Sequence, residues 1–519
     1  MRRLSDLSEA YLRLEETLPQ RGASTQEIFR VEPRALRAWL DGLPLANFQA
    51  ATREVLDGLR RLNAQPAEAA QRLEALESLR PTVLGLAAAT EQQIVGASFP
   101  LPSSKIGLGE FALSLQEELA LGYRTALVGL CAPIGTVGLL RGRTVALAGL
   151  RAVQHGQAHL AAAYLLYRVP PYDAWRVLHD VYRFVAEARL AEREVDEATA
   201  RSAYVESLLM ALMNPYRHTQ REQADAAAFA RVLAPYAELS ELRGEHDVPV
   251  QTGNDLGPGY LAEERVSTVP GAPFLRLERV LAYIDEQFEH VPAEARVVGF
   301  RLRGGTAFTL DAALARRLVA DLGARMVRGY ARLGGGYRLD CVLGLHDLHY
   351  VLAGSTDFER FLARARGEEE DVARAPRPVA RLSARVIDQG LGGYRLMWEG
   401  GGTQNARVRI GELIGLALPD DEASSEWLVG RVRWIRIDER GAVDAGVQLL
   451  ARRGLPAGVR DAAHGEDRAV MRGVLLASMQ GGVEAGYDAL LASIELGREA
   501  GEVDLVLPED DGGVPAPAR

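Results

Sequence analysis

Between residues 372 and 410 stand Arg374, Arg377, Arg381, Arg385, Arg395, Arg407 and Arg409, opposed only by Asp388 and Glu399, a local charge of +5. In a chain of formal charge -10 at pH 7 this is a basic island. Guanidinium groups fork onto O6 and N7 of guanine, stack on planar rings and neutralise phosphate. The chemistry such a segment suits is therefore the capture of a guanine nucleotide. Among these arginines runs the loop Asp388-Gln389-Gly390-Leu391-Gly392-Gly393. Strands offer an anion no helix N-terminus, so a loop must bring backbone donors close. Glycine permits that approach, and Asp388 can fix the turn by accepting an N–H two residues on.

Composition sets the weight of any arginine motif. Lys105 is the sole lysine among 60 basic residues, and with that many arginines roughly seven R-x-x-x-R spacings arise by chance. The pair Arg377 and Arg381 has that spacing, and so does Arg360 with Arg364. Neither pair is diagnostic alone; the order of pair, loop and strands is. Other candidates read as scaffold. His346 and His349 flank Asp347 but lack a third ligand nearby, so a strand or turn with one buried histidine is expected. His155 and His159 lie one helical turn apart and are discounted in the same way. Gly334-Gly335-Gly336 lacks the lysine and serine of a phosphate loop, Gly400-Gly401-Gly402 reads as a hairpin, and no G-x-S-x-G elbow or H-E-x-x-H helix occurs. No catalytic constellation and no metal site can be assembled, which points to a non-enzyme without a cofactor.

The acidic balance and pI near 5.6 argue against a DNA-, RNA- or anionic-membrane-binding surface. Two cysteines, Cys131 and Cys341, exclude a disulfide framework and fit a reducing cytoplasm. The opening Met-Arg-Arg-Leu-Ser-Asp has no apolar core of signal-peptide type. Thr125 to Leu140, the longest uncharged apolar stretch, is short for a membrane span and broken by Pro133, so it reads as buried helix and turn.

Elements that must position the loop follow from periodicity. Residues 1–243 give helix after helix, with Leu4, Leu7, Tyr11, Leu14 and Leu18 as one apolar stripe and Phe48, Ala51, Val55, Leu59 and Leu62 as another. Pro33, Pro66 and Pro81 are placed at first helical turns, and Pro170-Pro171 separates two long helices. Thr219-Gln220-Arg221-Glu222 predicts a capping box. Short connections favour an antiparallel bundle or helical array. Residues 244–272 read as a linker and 273–366 as a small mixed α/β domain, with strands at Arg296 to Leu302, around Phe308 and at Tyr337 to Leu345 and a helix from Asp311 to about Tyr330. Glu368 to Asp371 then reads as a solvated hinge.

From about residue 379 the period becomes two. Leu382 to Ile387, Tyr394 to Trp398, Arg407 to Ile410, Leu413 to Leu418, Trp427 to Ile437 and Ala445 to Leu450 are predicted strands, which at this spacing make an antiparallel barrel or sandwich over 372–455. Residues 456–507 read as a β-rich or mixed extension, and 508–519 as a disordered tail. The fold class expected is multidomain α+β.

An R-x-x-x-R pair, a [D/N]-x-S-x-x-G loop, a strand ending V-x-W and another reading G-V-x-[FL] resemble the PilZ domain, whose family binds cyclic di-GMP. Arg377 and Arg381 match the pair, Asp388 and Gly393 the loop, and Arg431-Val-Arg-Trp434 and Gly446-Val-Gln-Leu449 the later strands. Gly390 stands where the motif has serine, and the pair lies closer to the loop than is usual. Ala211 to Gln223, within the long helical region, is similar to large PilZ-containing proteins of the FimW kind. The resemblance implies a PilZ-like β-barrel at the C-terminal end and cyclic di-GMP held by Arg377, Arg381, Arg385, Asp388, Gly390 and Gly393. It implies also a cytoplasmic receptor that regulates surface attachment or type IV pili by ligand-induced domain reorientation, with a protein partner in that machinery. A second reading stays open: a helical adaptor whose barrel docks proteins and binds no nucleotide.

Overall fold

The computed structural model describes the chain except residues 1–3, 20–27, 139, 243, 245–246, 260–272, 293, 302–306, 324–331, 368–378, 400–406, 420–426, 439, 463–468, 478–486, 493–501 and 508–519. Arg377, the acidic run 368–371, the triple glycine at 400–402 and the 508–519 tail thus lie outside the described residues. Two compact units emerge. One holds residues 1–97 and 101–327, the other 98–100 and 328–519.

The first unit is helical, with α1 (Leu4–Glu16), α2 (Pro33–Asp41), α3 (Phe48–Ala64), α4 (Ala69–Ile94), α5 (Ser103–Cys131), α6 (Gly142–Leu165), α7 (Ala174–Glu187), α8 (Ala200–Leu212) and α9 (Gln220–Leu233). Local signals set most ends. Pro33 opens α2, Thr199 and Thr219 cap α8 and α9 through reciprocal side-chain bonds, and the apolar stripe of α3 is buried from Ala51 to Leu62. Pro81 does not start a helix but lies inside α4, where flanking Leu76, Leu79 and Val83 are all buried. Tertiary burial outweighs the lost hydrogen bond there.

The sequence Asn214 to Gln223 is a junction. Asn214 takes a left-handed conformation, Pro215–Arg217 form a 3-10 turn, and His218 Nε2 lies 2.9 Å from the Met213 carbonyl. Tyr167 Oη donates to the His218 carbonyl and Tyr216 Oη to that of Arg168.

The expected linker is partly built into this unit. Strands β1 (Glu238–Ser240), β2 (Val248–Pro249) and β3 (Phe274–Arg276) form a small antiparallel sheet. Asp255 then clasps the start of α7, accepting from the backbone N–H groups of Asp173, Trp175 and Arg176, the orphan donors of a helix N-terminus. Helix α10 (Glu278–Glu289), the hairpin β4 (Val297–Arg301) and β5 (Ala307–Asp311), and α11 (Ala312–Gly323) complete the unit. Arg217 pairs with Asp321 and Arg317 with Glu222, tying α11 to the junction.

The expected mixed domain of 273–366 therefore divides: its first half lies in the helical unit and its second in the β-rich one. There β6 (Leu333–Gly334), β7 (Arg338–Leu343), α12 (Gly344–Leu352) and α13 (Phe358–Ala365) precede β8 (Leu382–Gly390), β9 (Gly393–Trp398), β10 (Leu413–Ala417), β11 (Leu428–Ile437) and β12 (Val443–Ala451). Strands β7-β8-β9-β12-β11-β10 pair antiparallel around a ring that closes on β7, with β6 added beside β8. Closure leaves the ring no free edge. Its interior is filled by alternate residues: Leu382, Ala384, Val386, Leu396, Trp398, Ile414, Leu416, Val432, Ile435, Val443, Ala445 and Val447, all buried.

The predicted strand at Arg407 to Ile410 is only a bridge, in which Val408 and Phe99 exchange two backbone hydrogen bonds. His346 and His349 sit on helix α12, not on a strand or turn, and His349 is buried against Phe358 and Phe361. Residues 454–506 supply β13 (Gly454–Asp461), β14 (Met471–Ala477), β15 (Tyr487–Ala492) and β16 (Val503–Val506), a separate four-stranded sheet. Val474 and Leu476 of that sheet, Leu348 and Val351 of α12, and Trp427 and Val429 share a second core outside the barrel.

Candidate functional site

Two irregularities in the strands make the site. Strict alternation from the inward Val386 would bury Asp388, and from the inward Val432 it would bury Trp434. Instead the register shifts between Val386 and Asp388, so that Val386 faces Leu396 and Asp388 faces Arg395. A second shift sets Val432 opposite Val447 and Trp434 opposite Gly446. Ile387 and Arg433 are the extra residues, and each bulge turns the next side chain outward. Residues directly opposite share a face. Arg395 also lies opposite Gly446, so Asp388, Arg395, Gly446 and Trp434 form one row across β8, β9, β12 and β11 on the barrel's outer surface.

Neighbouring rows extend it. Below lie Arg385, Met397, Asp444 and Arg436; above lie Gly390, Gly393, Gln448 and Arg431. Asp444 receives both forks of Arg395, from Nε at 2.9 Å and from Nη2 at 2.7 Å. That bond raises the Arg395 pKa further, so its cation is fixed in place and in charge. The guanidinium carbons of Arg395 and Arg436 lie 6.0 and 5.8 Å from the Trp434 ring centre. Gly446 makes room for that indole: a Cβ there would meet Trp434 Nε1 at 1.9 Å. Gly393 is required as glycine too, with φ +149° and the Val447 carbonyl oxygen 1.9 Å from where a Cβ would sit. Gly390 pairs with Gly393 and closes the Leu391-Gly392 turn. Arg332, just before β6, forms an ion pair with Asp388.

The predicted site residues divide. Asp388, Gly390 and Gly393 sit together at the hairpin, and Arg385 is on the same face with its guanidinium 3.2 Å from Met397 Sδ. Arg381 lies just before β8, about 20 Å from Asp388 by strand rise, with its guanidinium 5.8 Å from the Trp427 ring centre. The structure does not bring it to the turn. Arg332, Arg395 and Trp434 are the residues sequence reasoning passed over as contacts. A signal for the first existed: Arg328-Gly329-Tyr330-Ala331-Arg332 repeats the R-x-x-x-R spacing before β7, the barrel's first ring strand. It was hidden because that strand read as part of another domain.

Chemically the face offers two cations beside one indole, Arg395 held by Asp444, with a carboxylate near a glycine turn and no bulky residue at Gly390, Gly393 or Gly446. A planar ring can stack there while phosphate meets guanidinium.

The N-terminal domain model of the cyclic-di-GMP receptor FimW matches residues 34–245, and its middle PilZ domain model matches residues 365–456. The Cyclic-di-GMP receptor FimW of Pseudomonas aeruginosa is 26% identical over 494 residues, covering 82% of this chain and 78% of that protein. No solved structure matches.

Proposed function

Starting from the finding that the chain belongs to the FimW family, we propose that it is a receptor for cyclic di-GMP and binds it on the outer barrel face. The observation that carries this reading is the paired bulge, which sets Asp388 and Trp434 outward on either side of Arg395. One guanine stacks on Trp434 between the Arg395 and Arg436 guanidiniums. The Asp388 to Gly393 turn receives the phosphodiester ring at close range, and Arg332, Arg385 and Arg395 supply the positive charge. Arg381, just before β8, takes a lesser role than the motif alone suggested, while Arg377 keeps the phosphate-binding role the motif gives it.

The protein acts by binding rather than by catalysis, in the cytoplasm, on a partner of the attachment or type IV pilus machinery. Among the described residues no helix is long and apolar enough to cross a membrane. Ligand shifts the protein between arrangements only if it prefers one of them. A ligand phosphate competes with Asp388 for the Arg332 guanidinium, so the liganded barrel differs from the free one at this pair.

The rival adaptor reading is favoured by one observation: Asp388 and Arg395 already have protein partners in Arg332 and Asp444. Calorimetric titration of the whole protein with cyclic di-GMP separates the two. Combined Arg332→Ala and Arg395→Ala substitution is expected to weaken binding at least about 100-fold, each charge-assisted contact contributing roughly 1.5 to 3 kcal/mol. Unchanged affinity moves the site elsewhere, and no heat from the unsubstituted protein favours the adaptor.

A further inference from the structure

The helical unit contains an apolar cavity of about 210 Å³, open to solvent, between the end of α4 and helices α6, α8 and α9. Its walls include Ala161, Tyr164, Met210, Met213 and Ala227, with Glu91 at its edge. Two glutamines also line it, yet their amides are held by backbone. Gln220 accepts from the Gly96 N–H and donates to the Leu165 carbonyl, while Gln223 donates to the carbonyls of Tyr164 and Pro215. Apart from Glu91, the wall thus presents chiefly methylene, methyl, thioether and aromatic groups.

Glu91 is the only carboxylate of the lining and, among the described residues, its side chain has no hydrogen-bond or ion-pair partner. It is half-buried, and burial raises its pKa. A carboxylate at the edge of an apolar cavity, with no partner of its own, is placed to receive a cation arriving with a ligand. Size narrows the class of ligand further. The cavity exceeds the roughly 150 Å³ that holds a benzene ring but falls below the roughly 300 Å³ at which small-molecule sites begin. One large side chain fits. Met210 and Met213 adapt to its shape, and Ala161, Ala224 and Ala227 let a partner backbone approach.

We propose that this cavity is a docking socket for a protein partner, which inserts one aromatic or branched aliphatic side chain and sets a neighbouring Lys or Arg against Glu91. The residues of the socket all belong to the helical unit.

The test uses the full chain with carbon-13-labelled methionine methyls and two probes, 2-phenylethylammonium and 3-phenylpropionate. Phenylethylammonium is expected to shift the Met210 and Met213 methyls saturably, with phenylpropionate about tenfold weaker. Glu91→Gln should erase that difference, and Ala227→Leu, which fills the cavity, should abolish both responses. A short helical peptide carrying Phe and, four residues later, Lys should bind more tightly than the free amine. If the two probes bind alike in the unsubstituted protein, or if Glu91→Gln changes nothing, the charge assignment is wrong. If the peptide binds no better than phenylethylammonium, the site belongs to a small molecule and the docking proposal fails.

Discussion

Arg72 and Arg395 carry the same guanidinium, but the helical unit and the barrel face use it differently. Arg72 is 1% exposed and donates to the carbonyls of Leu62 and Gln65, closing the C-terminal end of α3 from the neighbouring helix. Arg395 lies on a solvent-facing strand surface, held by Asp444 beside an indole. Arg72 satisfies backbone carbonyls in the interior; Arg395 is held by another side chain on a surface that faces water. The difference teaches that an arginine-rich composition says little about function until burial has sorted the arginines.

The largest effect expected from that contrast is acid sensitivity. In the helical unit burial lowers the pKa of His155 to about 3 and of His179 to about 4. In the β-rich unit the buried His349 is lowered to about 4. The unfolded chain takes up these protons near pH 6.5 and the folded chain does not, so stability present above pH 6.5 falls as pH drops toward the folded values. Each buried histidine contributes roughly 2 kcal/mol of that loss between pH 6.5 and 5. Burial raises the pKa of Glu206 and Glu91, which works in the opposite direction at lower pH, so the comparison belongs above the carboxylate range. Hydrogen exchange should therefore show protection falling faster in the helical unit than in the β-rich unit across that window. Equal losses would break the contrast.

Next in size is Arg72→Ala. Removing a buried cation that closes two carbonyls is expected to cost roughly 3 to 5 kcal/mol in urea unfolding of the helical unit. Arg395→Ala should cost less than about 1 kcal/mol of stability, as exposed ion pairs do, while weakening cyclic di-GMP roughly 10- to 100-fold. Calorimetry and urea unfolding on both variants give the crossed pattern, or refute it.

A smaller effect sharpens the barrel side alone. Gly446→Ala forces the Trp434 indole off its seat, since the new methyl would overlap Nε1. Loss of one stacked base corresponds to roughly 1 to 3 kcal/mol of affinity. Arg381→Ala, at the far end of β8, should change affinity less than about threefold. A larger loss for Arg381 than for Arg395 would return the ligand to the segment first suggested by spacing.

How much was legible varied with how local the cause is. The capping box at Thr219, the proline at Pro33 and the glycine hairpin at 390–393 act within a few residues and could be read directly. Asp388 and the glycines drew notice because turn chemistry has its own composition, and the structure places Asp388 within β8 against Arg332, with Gly390 and Gly393 at the hairpin. Pro81 was misplaced because buried neighbours along α4 override a local breaker. Arg332 was missed because its strand neighbourhood is contributed by residues more than fifty positions away.

The sequence by itself determined a helical first half, a β-rich end, a basic segment against an acidic background and a glycine turn. All of these follow from periodicity and side-chain chemistry along the chain. Only the tertiary structure decided that β7 belongs to the barrel, that Ile387 and Arg433 are bulged, and that Trp434 stands beside Arg395. Ring closure pairs strands far apart in the chain, and one extra residue reverses which side chains face out. Neither is written in the local pattern, because a strand with a bulge and a strand without one have the same composition.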